Sequence, residues 1–156
     1  MNTQRKTQAG FTLIEVTVVL IIVGILAALA FPAYAAMVRR ARYAEAKQQM
    51  GVIAREVEIY RVEKGHYPPD VNRNVQPEGV ENWPKEVPYD SFYDYDHWGV
   101  GDNQCYVQIA YAGESQTRAY QIHSLNKKPP GFKEFDDNLV LGVALYDCKA
   151  SRGAID

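Results

Sequence analysis

The residues of this chain that could do chemistry are few, and one carboxylate stands apart from the rest. Glu15 is the single charged side chain in Phe11–Val38, and Gly10 directly precedes the run Phe11-Thr12-Leu13-Ile14-Glu15. An acidic residue at the centre of a membrane-inserted helix costs roughly 2.5–3.5 kcal/mol. Glu15 therefore either lies at an interface within reach of water or pairs with a cation from another copy of the helix. Cleavage after Gly10 would create such a cation, because a free amino group on Phe11 is positive at neutral pH. In a bundle of helices that pair would fix axial register.

The other candidates carry weaker signals. Cys105 and Cys148 have no CxxC spacing and no histidine at ligand spacing, which argues against zinc and leaves a disulfide or two free thiols. His66, His97 and His123 are widely separated, and no serine or cysteine sits in a nucleophile motif such as GxSxG, so each histidine reads as a satisfied surface or core residue. The acidic, aromatic stretch Tyr89–Trp98 holds carboxylates of the kind hard cations take, but packing or a solvated loop is the simpler reading. No catalytic residue, metal ligand, nucleotide-binding motif or cofactor site is nominated, and the chain is not expected to be an enzyme.

The element that must position Glu15 is a helix. Phe11–Val38 exceeds the roughly 20 apolar residues that span a bilayer. Beyond Arg39 the pattern becomes amphipathic, with Met50, Ile53, Ala54, Val57 and Tyr60 along one face. Gly65, then Pro68 and Pro69, supply the stop. A helix from about residue 11 to 64 would be on the order of 80 Å long. Pro32 inside it removes a backbone donor and is expected to kink it or allow local opening, with Gly24 a second weak point. From His66 to Gly101 the proline-punctuated sequence reads as loop. Cys105–Tyr111 and Arg118–Ser124, around Gly113-Glu114-Ser115, read as an antiparallel hairpin, and Leu139–Tyr146 as a third strand. The expected class is α+β, with the second half of the helix packed on a small antiparallel sheet.

At 156 residues, 47% hydrophobic and 23% charged, the chain has room for one ordinary soluble domain. A formal charge of -2 gives no footprint for direct nucleic-acid binding. Ala33-Tyr34-Ala35 offers a conventional signal-cleavage site, but cutting there would sever a helical pattern that continues to Lys64.

Residues Lys6–Phe31, with Gly10 before Phe11-Thr12-Leu13-Ile14-Glu15 and the apolar run after, resemble the class III signal and N-terminal helix of type IV pilins and type II secretion pseudopilins. The similarity continues through Tyr60, Gly65, Tyr67 and Pro68 and covers about the first 70 residues. The resemblance implies a leader at 1–10, a transmembrane and assembly half of the helix at 11–38, and a pilin-like globular domain at 39–156. It implies a prepilin peptidase that cuts between Gly10 and Phe11 and methylates Phe11. Glu15 matches the acidic residue that aligns an incoming subunit, and Pro32 matches a helix-breaking position. The partners implied are copies of the chain and other pilins, an assembly platform, its ATPase and the inner membrane.

Arg39, Arg40 and Arg42 rival Arg5 and Lys6, so charge counting does not orient the span. The resemblance sets the N-terminus in the cytoplasm and the domain in the periplasm, with a later extracellular or periplasmic filament. There Cys105 and Cys148 can form a disulfide, as C-terminal cysteines do in many pilins. A pilus subunit, major or minor, and a secretion pseudopilin are competing forms of this reading. The absence of an Asp- and Gly-rich calcium run lowers the major-pseudopilin form. A secreted or membrane-anchored binding domain is the reading of another class.

Overall fold

The computed structural model describes residues 10–101, 103–118, 129–149 and 152–155. They fall into two compact units divided between Arg40 and Ala41. Helix α1, Leu13–Lys64, contributes to both. It ends where Gly65 turns left-handed at φ +82° and donates its N–H to the Arg61 carbonyl at 2.8 Å. A residue without a Cβ enters that conformation at least cost, which is why the helix stops there.

In the C-terminal unit, α1 buries Ala46, Met50, Ile53, Val57 and Tyr60, one stripe at alternating spacings of four and three. The expected face is therefore the buried one, extended back to Ala46, with Ala54 at its half-buried margin. Each fully buried Val, Ile or Met contributes about 1.5–3 kcal/mol. The stripe packs on an antiparallel sheet of order β3-β4-β2-β1-β5, built from β1 (Tyr93–Gly101), β2 (Gln104–Tyr111), β3 (Gly131–Phe135), β4 (Asn138–Asp147) and β5 (Gly153–Ala154). This is the expected α+β arrangement.

Two strand expectations change. The 66–101 stretch is not loop throughout, because Tyr93–Gly101 is β1. Its acidic residues have low strand propensity, but they occupy the face opposite the buried tyrosines and are neutralised from elsewhere in the chain. The expected pairing of Cys105–Tyr111 with 118–124 does not hold, since a strand has two edges and β2 gives them to β1 and β4. Residues 119–124 lie outside the described residues. The third expected strand is β4, preceded by a further strand, β3, in a tight hairpin.

The β2–β4 register slips by one residue at Val143. Before the bulge, Leu139 and Leu141 stand opposite Tyr111 and Ile109; after it, Ala144 and Tyr146 stand opposite Val107 and Cys105. An extra residue exchanges the two faces of the strand from that point onward. Tyr146 is thereby placed on the helix-facing side, beside His97.

Candidate assembly and membrane-anchoring site

Thr12 and Glu15 determine how α1 begins. The Glu15 carboxylate accepts the Thr12 N–H at 2.8 Å and its hydroxyl at 2.7 Å, and the Glu15 N–H donates back to Thr12 Oγ1 at 3.3 Å. This is a capping box, in which the residue before the helix and the third residue of its first turn satisfy each other's amides. The Thr-x-x-Glu spacing carries that signal, and the reading of Glu15 as an interfacial or inter-subunit group overlooked it. Thr17, the next polar side chain, donates its hydroxyl to the Ile14 carbonyl at 2.9 Å. The side chains of Thr12, Glu15 and Thr17 at the start of the apolar run thus find their hydrogen bonds within the helix itself, which suits a medium without water.

Past this cap, α1 is long and apolar enough to cross a membrane, and none of its most apolar stretch is buried within the protein. Leu20, Ile21, Ile25, Leu26, Leu29 and Phe31 are all exposed. Apolar surface on all sides of a helix calls for lipid or other helices around it, and this one fits a membrane-anchored chain. Phe11 is 89% exposed, and Gly10 beside it is exposed as well. Two shallow clefts flank the Phe11 ring, of about 250 and 430 Å³, walled by Val and Leu or Ile side chains, with Glu15 in both. Their largely apolar lining suits a ridge of side chains from another helix. Pro32 lies within α1, which runs unbroken across it; without a proline N–H, the Ala28 carbonyl lacks its usual helical donor.

In the C-terminal unit, Cys105 on β2 and Cys148 just past β4 are joined by a disulfide, with Cα atoms 5.7 Å apart. The Cys148 N–H also donates to the Asn103 carbonyl at 2.7 Å, so the bridge and a backbone bond fasten the same corner. Cys105 lies on the second strand of the sheet rather than the first.

The histidines are dispersed. His66 is exposed beside the Tyr60 ring, and His123 lies outside the described residues. His97 is buried between two partners: Nδ1 is 2.8 Å from the Pro68 carbonyl and Nε2 is 2.7 Å from the Tyr146 hydroxyl. A carbonyl only accepts, so Nδ1 carries the proton and Nε2 accepts from Tyr146. Burial lowers the His97 pKa, in keeping with that neutral form.

Arg118 is a residue that local sequence could not assign. It reaches the buried face of β1 with Nη1 2.7 Å from Asp94 and Nη2 3.2 Å from Asp96. The two carboxylates are 2% and 4% exposed, and Gln108 donates to Asp96 at 2.9 Å. Burial, with Asp94 alongside, pushes Asp96 up to about 6. These carboxylates hold a guanidinium and an amide, and among the described residues no three His, Cys, Asp or Glu side chains gather as a metal cage.

Residues 5–31 match the family described as the prokaryotic N-terminal methylation motif. The chain has a pilin-like N-terminus. It is 42% identical over 65 residues to the type II secretion system core protein G of Pseudomonas aeruginosa, covering 42% of this chain and 46% of that one. Over 66 residues it is 44% identical to the fimbrial protein EcpC of Eikenella corrodens, covering 42% and 43%. The core protein G of Aeromonas hydrophila is 34% identical over 65 residues, covering 42% and 46%. The chain thus spans less than half the length of the curated relatives it matches, and no solved structure matches it. The pilin-like reading of the sequence agrees with these likenesses and with the α+β fold.

Proposed function

We propose that this chain is a structural subunit, major or minor, of a type IV pilus-like filament and catalyses no reaction itself. The observation that carries the reading is the capped start of α1 immediately after Gly10–Phe11, followed by an apolar helix exposed on all sides. The precursor sits in the inner membrane with its N-terminus cytoplasmic and residues 39–156 periplasmic. Prepilin peptidase cuts between Gly10 and Phe11 and methylates the new amine, and a platform protein and its ATPase drive assembly. In the filament the apolar half of α1 packs against copies of itself or other pilins. Glu15 receives the Phe11 amine of a neighbour, and Pro32 marks where the helix opens. No metal or cofactor takes part.

The N-terminal residue and intact mass of the mature protein, from a host with its own processing enzymes, test this. A chain beginning at methylated Phe11 supports it; one beginning at Ala36 or Met1 replaces it with a secreted or anchored binding domain. A second reading, a pseudopilin of a type II secretion system, is favoured by relatives named as core protein G of such systems. Loss of secretion without loss of surface filaments in a deletion strain would select it.

A further inference from the structure

His97, on β1, is where that strand meets three other segments of the C-terminal unit. Its ring joins the Pro68 carbonyl, in the connector after α1, to the Tyr146 hydroxyl on β4. Its main chain is held as well: the N–H donates to the Asp70 carboxylate at 2.8 Å, and the carbonyl accepts the Ile155 N–H at 2.9 Å. The Asp70 N–H donates in turn to the Ile155 carbonyl at 2.7 Å, which closes the circuit between the connector and the residue after β5. The Pro68 carbonyl also accepts the Tyr95 hydroxyl at 3.0 Å.

The circuit matches one protonation state. A neutral ring has one donor and one acceptor, as a carbonyl that accepts and a hydroxyl that donates require. A proton on Nε2 would meet the hydroxyl proton of Tyr146, and turning that hydroxyl away costs it the acceptor it has. The charged groups nearby bring no counter-charge to the ring. Asp70 turns its carboxylate to the His97 main chain, and Glu58 of α1 is taken by the Tyr67 hydroxyl at 2.8 Å and by Arg61 at 3.4 Å. Tyr67 and Tyr95 are neutral, and β2 sets Val107 opposite. Burial lowers the His97 pKa, the Pro68 hydrogen bond raises it, and the charge of His66 adds to the lowering. We propose that His97 is an acid-sensitive latch: neutral, it ties the Pro68–Asp70 connector and the Ile155 segment to β1; protonated, it releases them. The opening is local, because β5 meets β1 only at Trp98–Ala154 and Gly99–Gly153, whereas β2 and β4 pair from Gln104–Asp147 to Tyr111–Leu139. The latch lies within the C-terminal unit and does not depend on the filament reading.

The test is NMR of the ¹⁵N-labelled full chain in detergent micelles from pH 7.5 to 4.5, reading the His97 ring nitrogens and the exchange of the His97, Asp70 and Ile155 amides. The ring should carry its proton on Nδ1 at neutral pH and titrate below the ordinary histidine value of about 6.5. Protection of the three amides, corrected for intrinsic exchange, should be full above that value. It should fall by up to tenfold per pH unit down to the lowered midpoint and then level off, while the β2–β4 amides stay protected. His97→Gln, which does not titrate, should abolish the dependence. Asp70→Asn keeps an oxygen for the His97 N–H and should retain it. A midpoint at or above 6.5, an Nε2–H tautomer, or protection indifferent to pH would each overturn the latch. So would equal loss across the β2–β4 ladder, an unchanged profile in His97→Gln, or loss of the dependence in Asp70→Asn.

Discussion

Glu15 and Thr12 close a ring of hydrogen bonds over the first turn of α1, in which one carboxylate oxygen takes both the amide and the hydroxyl proton of Thr12. Glu15 therefore caps its own helix, and the proposed contact with a neighbouring amine draws on the same carboxylate. The two roles separate by substitution. Glutamine at position 15 keeps the capping reach and loses the charge; alanine loses both. Glu15→Gln should retain slow amide exchange in the first turn and still lose filament yield. Glu15→Ala should leave membrane insertion intact and lose both. Filament yield from Glu15→Gln equal to wild type would leave capping as the whole role of this residue.

The same ring makes Thr12→Ala informative. Removing a threonine cap costs about 0.5–2 kcal/mol of helix stability, so amide exchange at residues 13–16 should accelerate while the rest of α1 stays protected. Hydrogen-exchange mass spectrometry in micelles reads this directly.

Reduction of the Cys105–Cys148 bridge should lower the stability of the C-terminal unit by about 2–4 kcal/mol, because it releases a loop closed across 43 residues. Urea unfolding of the full chain in micelles, with and without reductant, measures it. A midpoint unchanged by reductant would show that the Cys148–Asn103 backbone bond and the β2–β4 ladder hold that corner alone.

Gly113 should tolerate no side chain. It sits at φ +72°, and an added Cβ would lie 2.0 Å from the backbone oxygen of Asp137. That atom belongs to a turn already fixed by Ser115 N–H donating to Asp137 at 2.7 Å and by Asn138 donating to the Ala112 carbonyl at 3.1 Å. Gly113→Ala should cost several kcal/mol, on the order of 2–4, seen as a lowered Tm of the C-terminal unit.

Asp96 should give the protein a measurable pH dependence. Its folded-state pKa, raised to about 6 by burial and by Asp94, lies above the unfolded value, so the stability it contributes is full below about pH 4 and is lost as pH rises through 6. The Asp96→Asn variant is fixed in a neutral form, so wild type should lose about 1–3 kcal/mol relative to it between pH 4 and 7. Burial lowers the His97 pKa, and its contribution runs the other way, lost as pH falls through that depressed value. The difference between wild type and Asp96→Asn removes the His97 effect. Parallel pH profiles for the two proteins would show that Arg118 keeps Asp96 ionised throughout.

The helix, its buried stripe and its stop were legible in the sequence because each is local. Apolar spacing sets which face of α1 is buried, and Gly65 alone supplies the left-handed stop. The junction at Gly10–Phe11, the isolated Glu15 and the Thr12-x-x-Glu15 cap spacing are equally local. Strand β1 was not legible. Its alternation of tyrosine with aspartate reads as solvated loop until Arg118, distant in sequence, arrives to neutralise Asp94 and Asp96.

The pairing of Tyr146 with His97 depends on the bulge at Val143, which exchanges the faces of β4 midway along the strand. Gly142, beside the slip, is a local mark of a bulge in the run Leu139–Tyr146, but it does not say which partner Tyr146 meets once the faces exchange. Local spacing decided what the chain would form, because helix periodicity and caps act within a few residues. The register and the buried carboxylates were decided only when distant segments met, because the cost of burying a polar group is set by partners that the neighbouring sequence does not contain.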